Sequence, residues 1–224
     1  MNSSINIFFC YAHEDEELRK GLVKHLNVLK RQGIIDIWHD RNISAGTEWE
    51  REIDKHLNTA QIILLLISPD FMDSDYCYGI EMKRAMERYE QGKSRVIPII
   101  LRPVYWQKAP FGKLQALPTD AKAVISWQHQ DEAFFDVAMG ILKAVEEILQ
   151  QHLRSKDNVS PKLKALTRAY EQVRVGKITN PDIIRSIASQ FETLVSDPKV
   201  EIDVARAAQV LRERAELYEK QYML

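Results

Sequence analysis

An α/β fold, a doubly wound parallel sheet followed by an all-α segment, is what this sequence predicts, and three observations predict it. Short apolar runs rich in β-branched residues alternate with helix-periodic segments over the first two thirds of the 224 residues. Strands that alternate with helices pair in parallel through right-handed crossovers. After residue 153 the strand signals stop and only helical periodicity continues.

Each element has its own local pattern. INIFFC (5–10) reads as the first strand, and Leu18, Leu22, Leu26 and Leu29 place one apolar face on the helix after it. IIDIW (34–38) is the second strand. The loop DRNISAG (40–46) leads into a helix whose Thr47 and Glu50 have capping-box spacing and whose Trp49, Ile53 and Leu57 share a face. QIILLLIS (61–68) is the most apolar strand, and its lack of alternation predicts a central position buried on both sides. Met82, Ala85, Met86 and Tyr89 mark the next helix, with Ser74 as its expected cap. RVIPIIL (95–101) is the fourth strand, where Pro98 lacks an amide donor and favours an edge or a bulge. AVIS (123–126) is read as a fifth strand, and residues 131–153 as a helix with Phe134, Ala138, Ile141, Val145 and Ile148 inward.

The expected organisation is therefore a domain over 1–153, a polar linker over 154–161 and a helical segment over 162–224. Ser160-Pro161 and Asn180-Pro181 read as caps followed by proline in the first helical position. Leu163, Leu166, Tyr170 and Val173 form one apolar face; Ile184, Ile187, Phe191 and Leu194 form another; Val204, Ala207, Leu211 and Tyr218 form a third.

Composition narrows the function. Hydrophobic residues at 45% and charged residues at 28% are globular values, and a net charge of −1 disfavours a nucleic-acid partner. Two cysteines, Cys10 and Cys77, are too few for a disulfide framework and read as small packing residues in a reducing, cytoplasmic setting. The opening MNSSINIFFCYAHEDEE lacks the basic start of a secretory signal, and IILLLI (62–67) is far shorter than the roughly 20 residues of a membrane helix.

Open parallel sheets bind ligands beyond the carboxyl ends of their strands, which directs attention to 10–16, 39–46, 68–76 and 102–110. None carries G-x-G-x-x-G, Gly92-Lys93-Ser94 lacks the upstream glycine of a phosphate loop, and histidines and cysteines nowhere take metal-ligand spacing. A phosphorelay receiver is also a poor match: Asp70 lies beyond Ser68-Pro69, and Arg102-Pro103 stands where its lysine belongs.

FFCYAHEDEE, IWHDRNISAGTEW, LLLISPDFMDSDYCYGIEM and PFGKLQALP before AVISW occur in that order. Together they resemble the Toll/interleukin-1 receptor (TIR) domain in its bacterial form, over roughly residues 3–150. The resemblance implies a flavodoxin-like five-stranded parallel sheet. It also implies one of two roles: cleavage of NAD+ at the nicotinamide–ribose bond, or non-catalytic signalling through TIR–TIR contacts.

In the enzymes a glutamate in the helix after the third strand is catalytic, and here that position is Glu81. NAD+ enters as substrate, and no separate cofactor is implied. Loop residues Asp40, Asn42, Ile43, Ser44, Ala45 and Gly46 correspond to the family's BB loop, which gates the cleft and joins protomers. Cys77 holds the position four before the glutamate, where many of the enzymes have an aromatic, with Tyr76 and Tyr78 beside it.

The expected substrate contacts are Tyr11, Arg41, Trp49, Cys77 and Tyr78. Tyr11 is placed either to meet the nicotinamide or to cover core, while Arg41 offers a guanidinium suited to phosphate. Trp49 begins a helix face and reads more readily as core or loop anchor than as a ligand stack. The role expected of 162–224 is assembly or reception of an upstream activating signal, and the family's bacterial members imply antiphage defence.

Overall fold

The computed structural model of the chain describes residues 4–38, 49–155, 161–195 and 202–222. The chain divides into two compact units, one of Ser4–Arg31 with Ile35–Gly140, the other including Gln32–Ile34 and Ile141–Leu224.

The first unit carries the sheet. Strands β1 (Ile5–Cys10), β2 (Ile35–Trp38), β3 (Ile62–Ile67) and β4 (Arg95–Ile100) lie parallel in the order β2-β1-β3-β4. All six residues of β3 are buried, as the continuous apolar run predicts for a strand covered on both faces. Pro98 sits in β4, the last strand of the order, opposite Leu65. Helices α1 (Glu16–Arg31), α2 (Trp49–Thr59), α3 (Pro69–Asp73) and α4 (Met82–Glu90) come after the successive strands, with a three-residue turn His13–Asp15 ahead of α1. Leu22, Leu26 and Leu29 of α1, Ile53 and Leu57 of α2, and Met82, Ala85 and Met86 of α4 are buried. Helix α5 (Gln130–Ser155) supplies Ala133, Phe134 and Val137 to this unit's core. Gly21 of α1 makes room for Phe134, since a Cβ there would stand 2.5 Å from the ring.

Among the described residues the sheet has four strands, which corrects the expected five. Val124–Ser126 is a single 3₁₀ turn, although Ile125 still donates its amide to the Leu101 carbonyl at 3.2 Å. The flank of β4 is taken instead by Leu117, which bridges Ile99 in parallel. Leu117 donates to the Pro98 carbonyl at 2.9 Å, and its own carbonyl accepts from Ile100 at 2.8 Å.

The second unit is helical, with α6 (Pro161–Arg174), α7 (Pro181–Val195) and α8 (Ile202–Tyr222). Asn180 caps α7 by accepting from the amides of Asp182 and Ile183 at 2.9 and 3.2 Å. Tyr170 and Phe191 meet edge to face in its interior. Glu146, which is buried, accepts from Arg214 through both carboxylate oxygens. Among the described residues no helix is long and apolar enough to cross a membrane.

Candidate active site

The carboxyl ends of β1 and β3 open into a cavity of about 330 Å³. Phe9, Tyr11, Ala12, His13 and Glu14 line it from β1 and the turn after it. Asp70, Asp73, Ser74, Tyr76, Cys77 and Glu81 line it from the segment after β3. Two of the loop regions singled out on topological grounds thus meet at one place.

The path of the backbone between β3 and α4 sets Glu81. Ser68 caps α3, its Oγ accepting from the Phe71 amide at 3.0 Å, with Pro69 in the first helical position. Ser74 does the same for the next turn, accepting from the Cys77 amide at 3.1 Å. That turn, Cys77–Glu81, is a π-helix: the Glu81 amide reaches back five residues to the Tyr76 carbonyl at 3.1 Å. A π turn adds a residue to the helical repeat and rotates the residues beyond it, and such turns recur at functional sites. Here Glu81 is drawn inward to 6% exposure, further than the edge of the buried stripe that regular helical geometry predicts. Met82 continues as the first residue of α4 and is also buried.

Glu81 meets a thiol. Cys10 donates from Sγ to Glu81 Oε2 at 2.8 Å, and lies 3.7 Å from the Cys77 carbonyl. Cys77 in turn donates to the Tyr11 carbonyl at 3.3 Å, joining the π turn to the end of β1. Burial pushes the Cys10 thiol well up from its ordinary range, with the neighbouring Cys77 and Glu81 acting in the same direction. The thiol is therefore the protonated donor and the carboxylate the acceptor.

Tyr11 is anchored. Its hydroxyl donates to Glu16 Oε2 at 2.7 Å, while Arg19 holds the same carboxylate at 3.0 and 2.8 Å and lies 5.3 Å from the Tyr11 ring centre. The Arg19 hydrogen bond, aided by Tyr11 against a desolvation cost, lowers the Glu16 carboxyl to about 2. Beside the cavity runs an ionic network in which Asp15, 1% exposed, accepts from Arg102 Nε at 2.8 Å and from the Ser68 hydroxyl. Arg102 also reaches Asp70 on the cavity wall.

Of the residues expected at the site, Glu81, Tyr11 and Cys77 line the cavity together. Tyr78 does not line it; both Tyr78 and the neighbouring Tyr76 pack on the hydrophobic core, and of the two Tyr76 lines the cavity. Asp40, Arg41, Asn42, Ile43, Ser44, Ala45, Gly46 and the Trp49 side chain lie outside the described residues.

Sequence pattern alone does not single out Cys10, which reads there as packing, or the Asp15–Ser68–Arg102 network. The available signal was position: Cys10 ends β1, Ser68 directly follows β3, and Arg102 lies two residues past β4. No group of three or more histidine, cysteine or acidic side chains among the described residues has metal-binding geometry.

Known proteins match part of this sequence. A stretch of 143 residues, 64% of this chain, is 54% identical to the uncharacterized protein y4lF of Sinorhizobium fredii (strain NBRC 101917 / NGR234). The match takes in 44% of that relative, so the chain spans less than half of its length. Residues 7–137, more than half of this chain, match the family described as TIR domain. With its parallel sheet, flanking helices and the cavity over the ends of β1 and β3, the chain belongs to the TIR domain family.

Proposed function

We propose that this TIR domain cleaves the nicotinamide–ribose bond of NAD+, releasing nicotinamide and ADP-ribose or a cyclic isomer, with Glu81 as the catalytic carboxylate. The observation that carries the reading is the placement of Glu81: buried to 6%, yet lining a cavity at the carboxyl ends of the central strands. A carboxylate is costly to bury, and a site that keeps one beside a cavity has a use for its charge.

The chemistry matches one carboxylate. Nicotinamide leaves as a neutral base when the C–N bond breaks, because it is bound as a cation; the electron pair goes with it and acid assistance is small. The barrier is the positive charge that grows on the ribose carbon. A carboxylate fixed near the ribose hydroxyls in a water-poor cavity stabilises that charge more in the transition state than in the ground state. Water then adds to the sugar carbon and loses a proton, or a hydroxyl or ring nitrogen of the same molecule attacks and gives the cyclic product. Glycosidases use related logic with two carboxylates. Tyr11 and Tyr76 supply aromatic surface at the cavity for the nicotinamide or the ribose.

Activity is expected to require self-association through TIR contacts, with the helical unit receiving an upstream signal, and its use to be NAD+ depletion in antiphage defence. The family resemblance supports these finer points. The test is nicotinamide release from NAD+ by bead-clustered protein, alongside Glu81→Ala. Release that falls by on the order of 10²-fold in the variant supports the reading. No release from the unaltered protein, free or clustered, replaces it with a non-catalytic scaffold, and equal release from both moves the chemistry away from Glu81.

A further inference from the structure

We infer that Cys10 is a positioning residue for Glu81: the thiol that ends β1 orients the carboxylate at the cavity. This role rests on the NAD+-cleavage reading of the same site. Cys10 is 0% exposed and lies on the central strand pair of the sheet, so it is not placed to touch a substrate. Its contact with Glu81 Oε2 at 2.8 Å joins two elements 71 residues apart in sequence, the end of β1 and the π turn before α4. A second thiol link, Cys77 Sγ to the Tyr11 carbonyl at 3.3 Å, ties the same two elements and holds their spacing.

The pair divides labour in a way that suits a reacting carboxylate. A glutamate side chain has three rotatable bonds, and a π turn alone fixes only its backbone. A donor on Oε2 restrains where that oxygen sits and so narrows the side chain's rotamers. A thiol is a weak neutral donor, so it orients the group while leaving it anionic, whereas a guanidinium there would also offset the charge. Burial pushes the Cys10 thiol up from its ordinary range, which favours the protonated, donating form beside the carboxylate.

Three variants test the role: Cys10→Ala, Cys10→Val, which fills the site with apolar bulk, and Cys10→Ser, which restores a donor. Glu81 is labelled at its carboxyl carbon, and its titration is tracked by 13C NMR, with nicotinamide release measured on the same samples and folding checked by thermal unfolding. Among the described residues, the other titratable groups that line the cavity with Glu81 are Tyr11, His13 and Glu14 from the β1 side and Asp70, Asp73, Tyr76 and Cys77 from the far side. They are common to all variants, so a difference in titration reports Cys10.

The expected result is a Glu81 carboxyl that titrates at higher pH in the alanine and valine variants, since the donor that favours its ionised form is gone, and returns in the serine variant. kcat falls about 10- to 100-fold in the first two with little change in KM, and recovers in the third. Folded valine or alanine variants in which Glu81 titrates as before overturn the inference, whatever the nicotinamide assay gives. If nicotinamide release is absent throughout while the titration shifts as described, the positioning stands and the NAD+-cleavage reading fails.

Discussion

Two carboxylates are buried at the same edge of the sheet and meet different donors. Asp15, after β1, is 1% exposed and takes the Arg102 guanidinium and the Ser68 hydroxyl. Glu81, after β3, is 6% exposed and takes the Cys10 thiol. The guanidinium offsets the charge of Asp15 and turns it into a joint between the segments beyond β1, β3 and β4. On the proposed reading the thiol orients Glu81, and a thiol, being neutral, does not itself offset a carboxylate's charge. Burial alone therefore does not mark a functional carboxylate; the contrast proposed between the two rests on the guanidinium at Asp15 and the thiol at Glu81.

Mutation can separate the two, and the largest effect is expected at the joint. Arg102→Met strands Asp15 in the interior and lowers unfolding stability by about 3–5 kcal/mol in urea titration. Glu81→Gln, by contrast, leaves stability within about 1 kcal/mol or raises it, because a site kept for function need not be optimised for folding. Equal destabilisation by the two would erase the distinction.

A smaller effect is expected at Glu16, whose folded carboxyl lies near 2, below its ordinary 4.5. The stabilisation this supplies is complete above the unfolded value and is lost as pH falls from about 4.5 through about 2. Arg19→Met removes the main cause, costs about 1–2 kcal/mol at neutral pH and flattens the stability profile in that acid window. Thermal unfolding scans between pH 7 and 2 measure both.

The smallest effect distinguishes the two tyrosines of the π segment. Tyr76→Ala raises KM for NAD+ about 2- to 10-fold, because Tyr76 faces the cavity. Tyr78→Ala leaves KM alone, because Tyr78 is not among the cavity-lining side chains, and both variants lower stability, because both tyrosines pack on the core. Steady-state kinetics with both variants show which side chain meets the substrate.

These residues also show what a one-dimensional pattern can carry. β1 was legible to the residue, and β3 was legible as the buried strand, because composition and length report burial directly. The expected fifth strand failed because AVIS offers only three apolar residues before a serine, with no periodicity of its own. The residue that lies beside β4, Leu117, comes from LQALP, where nothing reads as strand. Glu81 was legible through the motif around it, but its depth was not, since the π turn that rotates it inward has no signature in helical periodicity. The link between Asp15 and Arg102 spans 87 residues, and that between Cys10 and Glu81 spans 71. Such pairings are decided by strand order, which places the ends of β1, β3 and β4 side by side, and are invisible until that order is known.

A catalytic role for the Glu81 charge is tested most sharply by the rate of nicotinamide release from NAD+ by clustered Glu81→Gln protein, matched to the unaltered chain for folded fraction. A glutamine keeps the size and an acceptor for the Cys10 thiol but removes the charge. A loss on the order of 10²-fold or more with the fold intact is expected; release at the unaltered rate would rule that role out.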